Sequence, residues 1–368
     1  MKNIKKIEYE NLSKSNELFF EEYISGFEEL LKSGWYILGK NVSDFENNFS
    51  RFNKSKYTIG LASGLDALHL SINSLNLAKN SEIIVPSNTY IATILAIINN
   101  GLIPVFVEPD IETYNIDPIK IEDKITKKTK AIIVVHLYGK SCDMDPIKAI
   151  ANNYSLFIIE DCAQAHGAKY KGTNVGNFGA FGAFSFYPTK NLGALGDAGA
   201  ITTDSLANRD NIKRLRNYGS DTKYYNEVLG FNSRLDEIQA YFLSIKLKYL
   251  DKITEHKRFL ANIYISNISD NFIKPVVSTD YYDVFHIFNI RCDKRDELKK
   301  YLLKNNIQTE IHYPVAPHKQ VALKKIKNLM NTTFPISEKI HETTLSLPIS
   351  FGTSKNEVMK VCDIINKF

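Results

Sequence analysis

Several protein classes are excluded by what this chain lacks. Its four cysteines, Cys142, Cys162, Cys292 and Cys362, are far apart and form no CxxC pair. That spacing rules out a disulfide scaffold and a cysteine metal site, and it reads as reduced thiols in a cytoplasmic protein. No apolar run reaches the roughly 18 residues that a membrane-spanning helix needs. Residues Met1 to Asn16 are polar and charged, unlike the apolar core of a signal peptide. The glycines at 176, 179 and 182 do not make a G-x-G-x-x-G dinucleotide fingerprint. A basic run is also missing: 46 Lys and Arg stand against 41 Asp and Glu, a net charge of +5 spread along 368 residues. Neither a nucleic-acid nor a membrane partner is called for, whereas an anionic small molecule is compatible.

What is present is an alternating α/β pattern. Apolar positions from Glu17 to Lys32 follow a helical period closed by Gly34, and Asp44 to Phe52 starts another helix. Short apolar runs at Glu82–Val85, Ile103–Val107, Ala131–Val135 and Leu156–Ile159 are each followed by a turn and a helical stretch. Strands apolar throughout predict a mostly parallel sheet covered on both faces. Phe181–Phe186 and Ala198–Thr202 add two strands, and Leu235–Leu250 predicts one long helix. Beyond it the pattern becomes a smaller α+β unit, with strands expected at Phe285–Cys292 and Gln308–His312. The expected division is 1–250 for a large domain and 251–368 for a small one.

One lysine stands out. Lys190 has Phe184-Ser185-Phe186-Tyr187-Pro188-Thr189 before it and a glycine-rich stretch to Gly196 after it. An ammonium in such company is either at a surface turn or desolvated, and a desolvated amine is a Schiff-base former. In open α/β sheets, ligands collect at the carboxyl ends of the strands. There the sequence puts Ser63-Gly64-Leu65, a small-residue turn into a helix suited to a phosphate or to ordinary capping. It also puts Tyr90, able to stack on a planar ring or to pack a core, and Asp161 in Glu160-Asp161-Cys162-Ala163-Gln164. A carboxylate at the end of an apolar strand needs a donor or cationic partner. Acid, aromatic, phosphate turn and lysine together point to pyridoxal 5′-phosphate (PLP). That cofactor needs an amine, an acid for its ring nitrogen, a dianion site and a flat partner.

These segments, with Val135-His136-Leu137-Tyr138-Gly139 and Gly230-Phe231-Asn232-Ser233-Arg234, follow one another in a familiar order. From about Trp35 onward the chain resembles the DegT/DnrJ/EryC1/StrS sugar aminotransferases. The resemblance implies an aspartate-aminotransferase-like (fold type I) architecture and a homodimer with shared active sites. It implies that Lys190 carries the cofactor and that Asp161 pairs with its pyridinium nitrogen. Gln164 would lie near its hydroxyl and Tyr90 on its ring, with Gly64, Leu65 and Ser185 holding the phosphate. Asn232 would reach the phosphate from the partner subunit.

The stretch Asn191 to Gly199 is similar to that of members acting on dTDP-3-keto-6-deoxyhexoses, with Tyr187, His312 and Tyr313 shaping the hexose pocket. The implied reaction passes the amine of L-glutamate to the 3-keto group, for glycan biosynthesis. Two other readings stay open: a 4-aminotransferase on a dTDP- or UDP-linked 4-keto sugar, and a non-catalytic PLP-binding regulator. Thr189 stands where those relatives often carry glycine. His136 is expected to be a hydrogen-bonded structural residue, and His166 either supports Asp161 or merely lies near it.

Overall fold

In a computed structural model, residues 6–324 and 332–368 of the chain are described. The strands are β1 (Tyr57–Leu61), β2 (Glu82–Pro86), β3 (Ile103–Val107), β4 (Thr129–Val135), β5 (Phe157–Asp161) and β6 (Lys169–Tyr170). They continue with β7 (Thr173–Asn174), β8 (Phe181–Ser185), β9 (Gly199–Thr203), β10 (Tyr281–Tyr282), β11 (Phe288–Arg291) and β12 (Thr344–Leu347). The helices are α1 (Leu12–Asn16), α2 (Phe20–Ser33), α3 (Lys40–Asn53), α4 (Gly64–Ser74), α5 (Ile91–Asn99) and α6 (Met144–Asn153). After them come α7 (Leu206–Leu215), α8 (Glu237–Leu247), α9 (Leu250–Asn267), α10 (Arg295–Lys304), α11 (Pro335–Thr343) and α12 (Lys355–Ile365).

Seven strands form the main sheet in the order β1-β9-β8-β5-β4-β2-β3. The five from β3 to β8 run parallel, and β9 is antiparallel to both β8 and β1. The predicted α/β fold with a mostly parallel sheet is therefore present. Both faces are covered, as runs of apolar residues require. Leu68 and Leu70 of α4, Ile94 and Ile97 of α5 and Ile212 of α7 pack on one face. Phe45 and Phe49 of α3 and Leu243 of α8 pack on the other with Phe184, Phe186 and Leu235. Phe49 is fully buried, with its ring centroid 5.0 Å from that of Phe184; its truncation to Ala would cost about 3–5 kcal/mol.

A separate core gathers Leu260 and Tyr264 of α9, Phe288 and Ile290 of β11, Leu298 and Leu302 of α10, Leu345 and Leu347 of β12, and Val361 of α12. Two local expectations differ from the structure. Leu235–Leu250 is not one helix: α8 starts at Glu237, and Tyr249 leaves helical geometry before α9. The strand expected at Gln308–His312 reduces to a single bridge between Glu310 and Ser346. Gly34 does close α2, in the left-handed region at φ 65°.

Candidate active site

Strand register assembles the site. Val135 pairs with Asp161, and Asp161 with Ala183, so the carboxyl ends of β4, β5 and β8 lie side by side. A cavity of about 490 Å³ opens there. Of the expected site residues, Gly64, Leu65, Tyr90, Asp161, Gln164, Ser185, Tyr187, Lys190, His312 and Tyr313 all line it, and so does Thr189. Asn232 does not. It is exposed, and it bridges to Asn217 outside the cavity of its own chain.

Lys190 follows β8 on a tight turn whose amide donates to the Tyr187 carbonyl at 2.8 Å. Among the described residues no hydrogen bond to its amine is found. Loss of water holds that amine down to about 8, against a smaller upward pull from Asp161. At pH 7 about a tenth of it is then neutral, far more than of an ordinary lysine amine, and the neutral form is the nucleophile. Asp161 is buried; its Oδ2 accepts from the Thr93 hydroxyl at 2.9 Å and its Oδ1 from the Ala163 amide at 3.1 Å. Burial raises its carboxyl above the ordinary value, and Thr93, Ala163 and Lys190 pull it back. Two donors leave acceptor capacity for a protonated ring nitrogen. His166 is not one of the donors: its ring is buried against Phe184 and Phe186, and among the described residues no hydrogen bond from it to Asp161 is found, so it does not support Asp161 directly.

The N-terminus of α4 faces the same space. Ser63 caps it by accepting from the Asp66 amide at 3.1 Å, which leaves the Gly64 and Leu65 amides without intrahelical acceptors. A Cβ on Gly64 would come within 2.5 Å of the Ser185 side chain. Glycine thus lets the helix end and the serine hydroxyl converge into one anion cradle. Across the cavity, Gln164 accepts from the Tyr138 amide at 2.7 Å and donates to the Tyr313 hydroxyl at 2.9 Å. Tyr313 lies against Tyr90 with centroids 5.1 Å apart, and His312 Nδ1 meets the Ser346 hydroxyl at 2.9 Å. Burial and Lys190 hold His312 down to about 4, a neutral imidazole.

Two lining residues were missed in the sequence. Thr93 sits on α5, one turn after Tyr90, and its role depends on a strand far away in sequence. His286 lines the cavity with its Nδ1 buried and, among the described residues, without a hydrogen-bond partner; burial and then Lys190 push it well below the usual imidazole range. Its signal was a lone imidazole inside the apolar run Val284-Phe285-His286-Ile287.

His136 has the structural role expected of it. Its Nε2 lies 3.0 Å from Glu160, and its Nδ1 accepts from the Cys142 amide at 3.0 Å. Glu160 also accepts from the amides of Gly176, Phe178 and Gly179. His136, Glu160 and Cys162 come close enough to suggest a metal site, but these donors already occupy the carboxylate.

The chemistry fits PLP on the structure alone. A bare amine, an under-satisfied carboxylate, a helix end with a hydroxyl beside it, and an exposed aromatic surround one cavity. Comparison with known proteins agrees. The sequence profile of the DegT/DnrJ/EryC1/StrS aminotransferase family matches residues 19–366. The chain is 52% identical to a dTDP-3-amino-3,6-dideoxy-alpha-D-galactopyranose transaminase of Aneurinibacillus thermoaerophilus, over 98% of this chain and 99% of that protein. It is 39% identical to a dTDP-3-amino-3,4,6-trideoxy-alpha-D-glucose transaminase of Streptomyces venezuelae, over 92% and 90%. The crystal structure of S. venezuelae DesV in complex with a ketimine intermediate superposes with a TM-score of 0.96 at 38% identity, covering 98% of each chain. That of ntda from Bacillus subtilis with bound PMP gives 0.93 at 31%, covering 99% and 86%.

Proposed function

Because the chain belongs to the DegT/DnrJ/EryC1/StrS aminotransferase family, and so is a PLP-dependent aminotransferase, we propose that its acceptor is a dTDP-linked 3-keto-6-deoxyhexose. L-Glutamate leaves as 2-oxoglutarate, and the 3-keto group becomes the 3-amino group of a dTDP-3-amino-3,6-dideoxyhexose. The choice of carbon 3 is supported by the 52% identical relative, whose name specifies that position. The observation that carries the chemistry is the unpartnered Lys190 amine in one cavity with Asp161.

PLP supplies, when bound, an electron sink for the bond broken at the substrate carbon. The chain's own residues do the rest. Asp161 holds a proton on the ring nitrogen, and Thr93 and the Ala163 amide orient that carboxylate. The Gly64 and Leu65 amides and the Ser185 hydroxyl bind the phosphate. Tyr90, braced by Tyr313, covers the ring, and Gln164 is held near its hydroxyl. Lys190, its amine pKa lowered by burial, accepts the proton that leaves the α-carbon of glutamate and supplies the one that adds to carbon 3 of the sugar. Tyr187, His312 and Tyr313 contact the hexose.

The functional unit of this reading is a homodimer in the cytoplasm. Supporting it is an apolar face on and after α2, where Phe20, Ile24, Phe27, Leu31, Trp35 and Tyr36 are all exposed. Asn232, lying outside its own cavity, reaches the phosphate of the second subunit. The test is to supply glutamate with a 3-keto and a 4-keto dTDP-6-deoxyhexose separately and locate the new C–N bond by NMR. Amination at carbon 3 is expected, and amination of the 4-keto compound alone overturns the substrate assignment.

A further inference from the structure

Beside the Lys190 loop lies a second buried amine. Lys257 of α9 is only 3% exposed. Its Nζ donates to Asn191 Oδ1 at 2.8 Å and to the His286 carbonyl at 3.0 Å, neither of them a carboxylate. Asn191 is itself buried and donates to the Val284 carbonyl at 3.0 Å. One side chain therefore ties together the residue next to Lys190 and the segment that brings His286 to the cavity wall. A buried ammonium held only by neutral acceptors is costly to fold. Burial pushes its pKa down to about 8, with Lys246 and Lys190 adding to the depression and Glu10 opposing it. A methionine of similar length would fill the space without burying a charge, but it would leave the Asn191 Oδ1 and the His286 carbonyl without this donor.

We propose that Lys257 is a positioning residue for Lys190: through Asn191 and the His286 carbonyl it fixes the loop so that the Lys190 amine projects into the cavity opposite Asp161. The inference rests on Lys190 being the amine that takes up PLP. Lys257 touches neither substrate nor cofactor, and it transfers no proton.

The test uses Lys257→Met, Asn191→Ala and the double variant in the full-length protein. Two quantities are read: the rate at which apoprotein gains visible absorbance when PLP is added, and kcat with KM for both substrates. Displacing a reacting group by about 1 Å can cost up to a hundredfold. Each single variant is therefore expected to lose about tenfold or more in both rates, with KM values within about threefold. Lys257→Met leaves the Asn191 Oδ1 and the His286 carbonyl without that donor, so a lower melting temperature is expected and both rates are read per folded molecule. Because the two residues act as one bracket, the double variant should lose no more than the worse single. Uptake of PLP and kcat within about twofold of wild type in a folded Lys257→Met protein would overturn the proposal, as would losses that multiply in the double variant. If Lys257→Met does not fold, Asn191→Ala alone decides, and wild-type rates in it overturn the proposal. PLP uptake is read without any sugar. A wrong acceptor assignment would thus leave wild-type uptake intact while amination failed.

Discussion

Lys190 lines the cavity and Lys257 holds the residue next to it, and the same physical effect acts on both. Burial lowers each amine to about 8, so acidity alone does not distinguish them. Their surroundings do. Lys257 has its donors committed to Asn191 and the His286 carbonyl. Among the described residues Lys190 has no such partner, and it faces a cavity with an acid across it. A neighbouring pair of carboxylates repeats the contrast on β5. Glu160 is fully buried and saturated by His136 and three amides, whereas Asp161 has two donors and faces the cavity. In each pair the saturated group is architecture and the unsatisfied one is free for chemistry.

Four substitutions can break or sharpen that contrast. Lys190→Ala has the largest expected effect, a loss of about a thousandfold or more in turnover and disappearance of the cofactor's visible band. Steady-state assays and absorbance check it, and retained turnover would erase the distinction between the two lysines. Asp161→Asn is expected to lose about a hundredfold in kcat, the scale of removing one electrostatic partner from the reacting system. Glu160→Gln should do the opposite: near-normal turnover per folded molecule, but about 3 kcal/mol less stability in urea unfolding, because it breaks a buried paired charge. The smallest effect is expected at Tyr90→Ala, about 1 kcal/mol or fivefold in PLP affinity, measured by fluorescence titration.

Asp161 also predicts a pH dependence of stability. Burial raises its carboxyl in the folded state, so the folded apoprotein holds that proton more tightly than the unfolded chain does. Ionising it costs folding free energy, a cost absent below the ordinary carboxylate value of about 4 and growing as pH rises through the raised value. Apo Asp161→Asn should therefore match wild type near the bottom of that window and exceed it at neutral pH. Urea unfolding across the window measures the difference, and wild type gaining on the variant as pH rises would contradict it.

Much of this site could be read in the sequence because its parts sit at strand ends. Lys190, Asp161, Tyr90 and Ser63-Gly64 each follow or end a recognisable strand, and parallel register alone brings such ends together. Thr93 and Lys257 were not legible. Each acts through a hydrogen bond to a residue distant in sequence, Asp161 or Asn191, and helical periodicity carries no trace of that. The α8–α9 break was hidden for another reason: Tyr249 and Leu250 continue an apolar pattern, and only the geometry at Tyr249 ends the helix. Thr189 lines the cavity next to Lys190, and nothing in the structure explains the choice of threonine.

The most direct measurement is to reduce the PLP-loaded protein with borohydride, which fixes the cofactor to whichever amine carries it, and to map the modified peptide by mass spectrometry. Lys190, Lys246 and Lys257 are three buried amines with similarly lowered pKa values of about 8. The cofactor mass is predicted on the Lys190 peptide alone. Its appearance on Lys246 or Lys257, with Lys190 unmodified, would contradict the assignment.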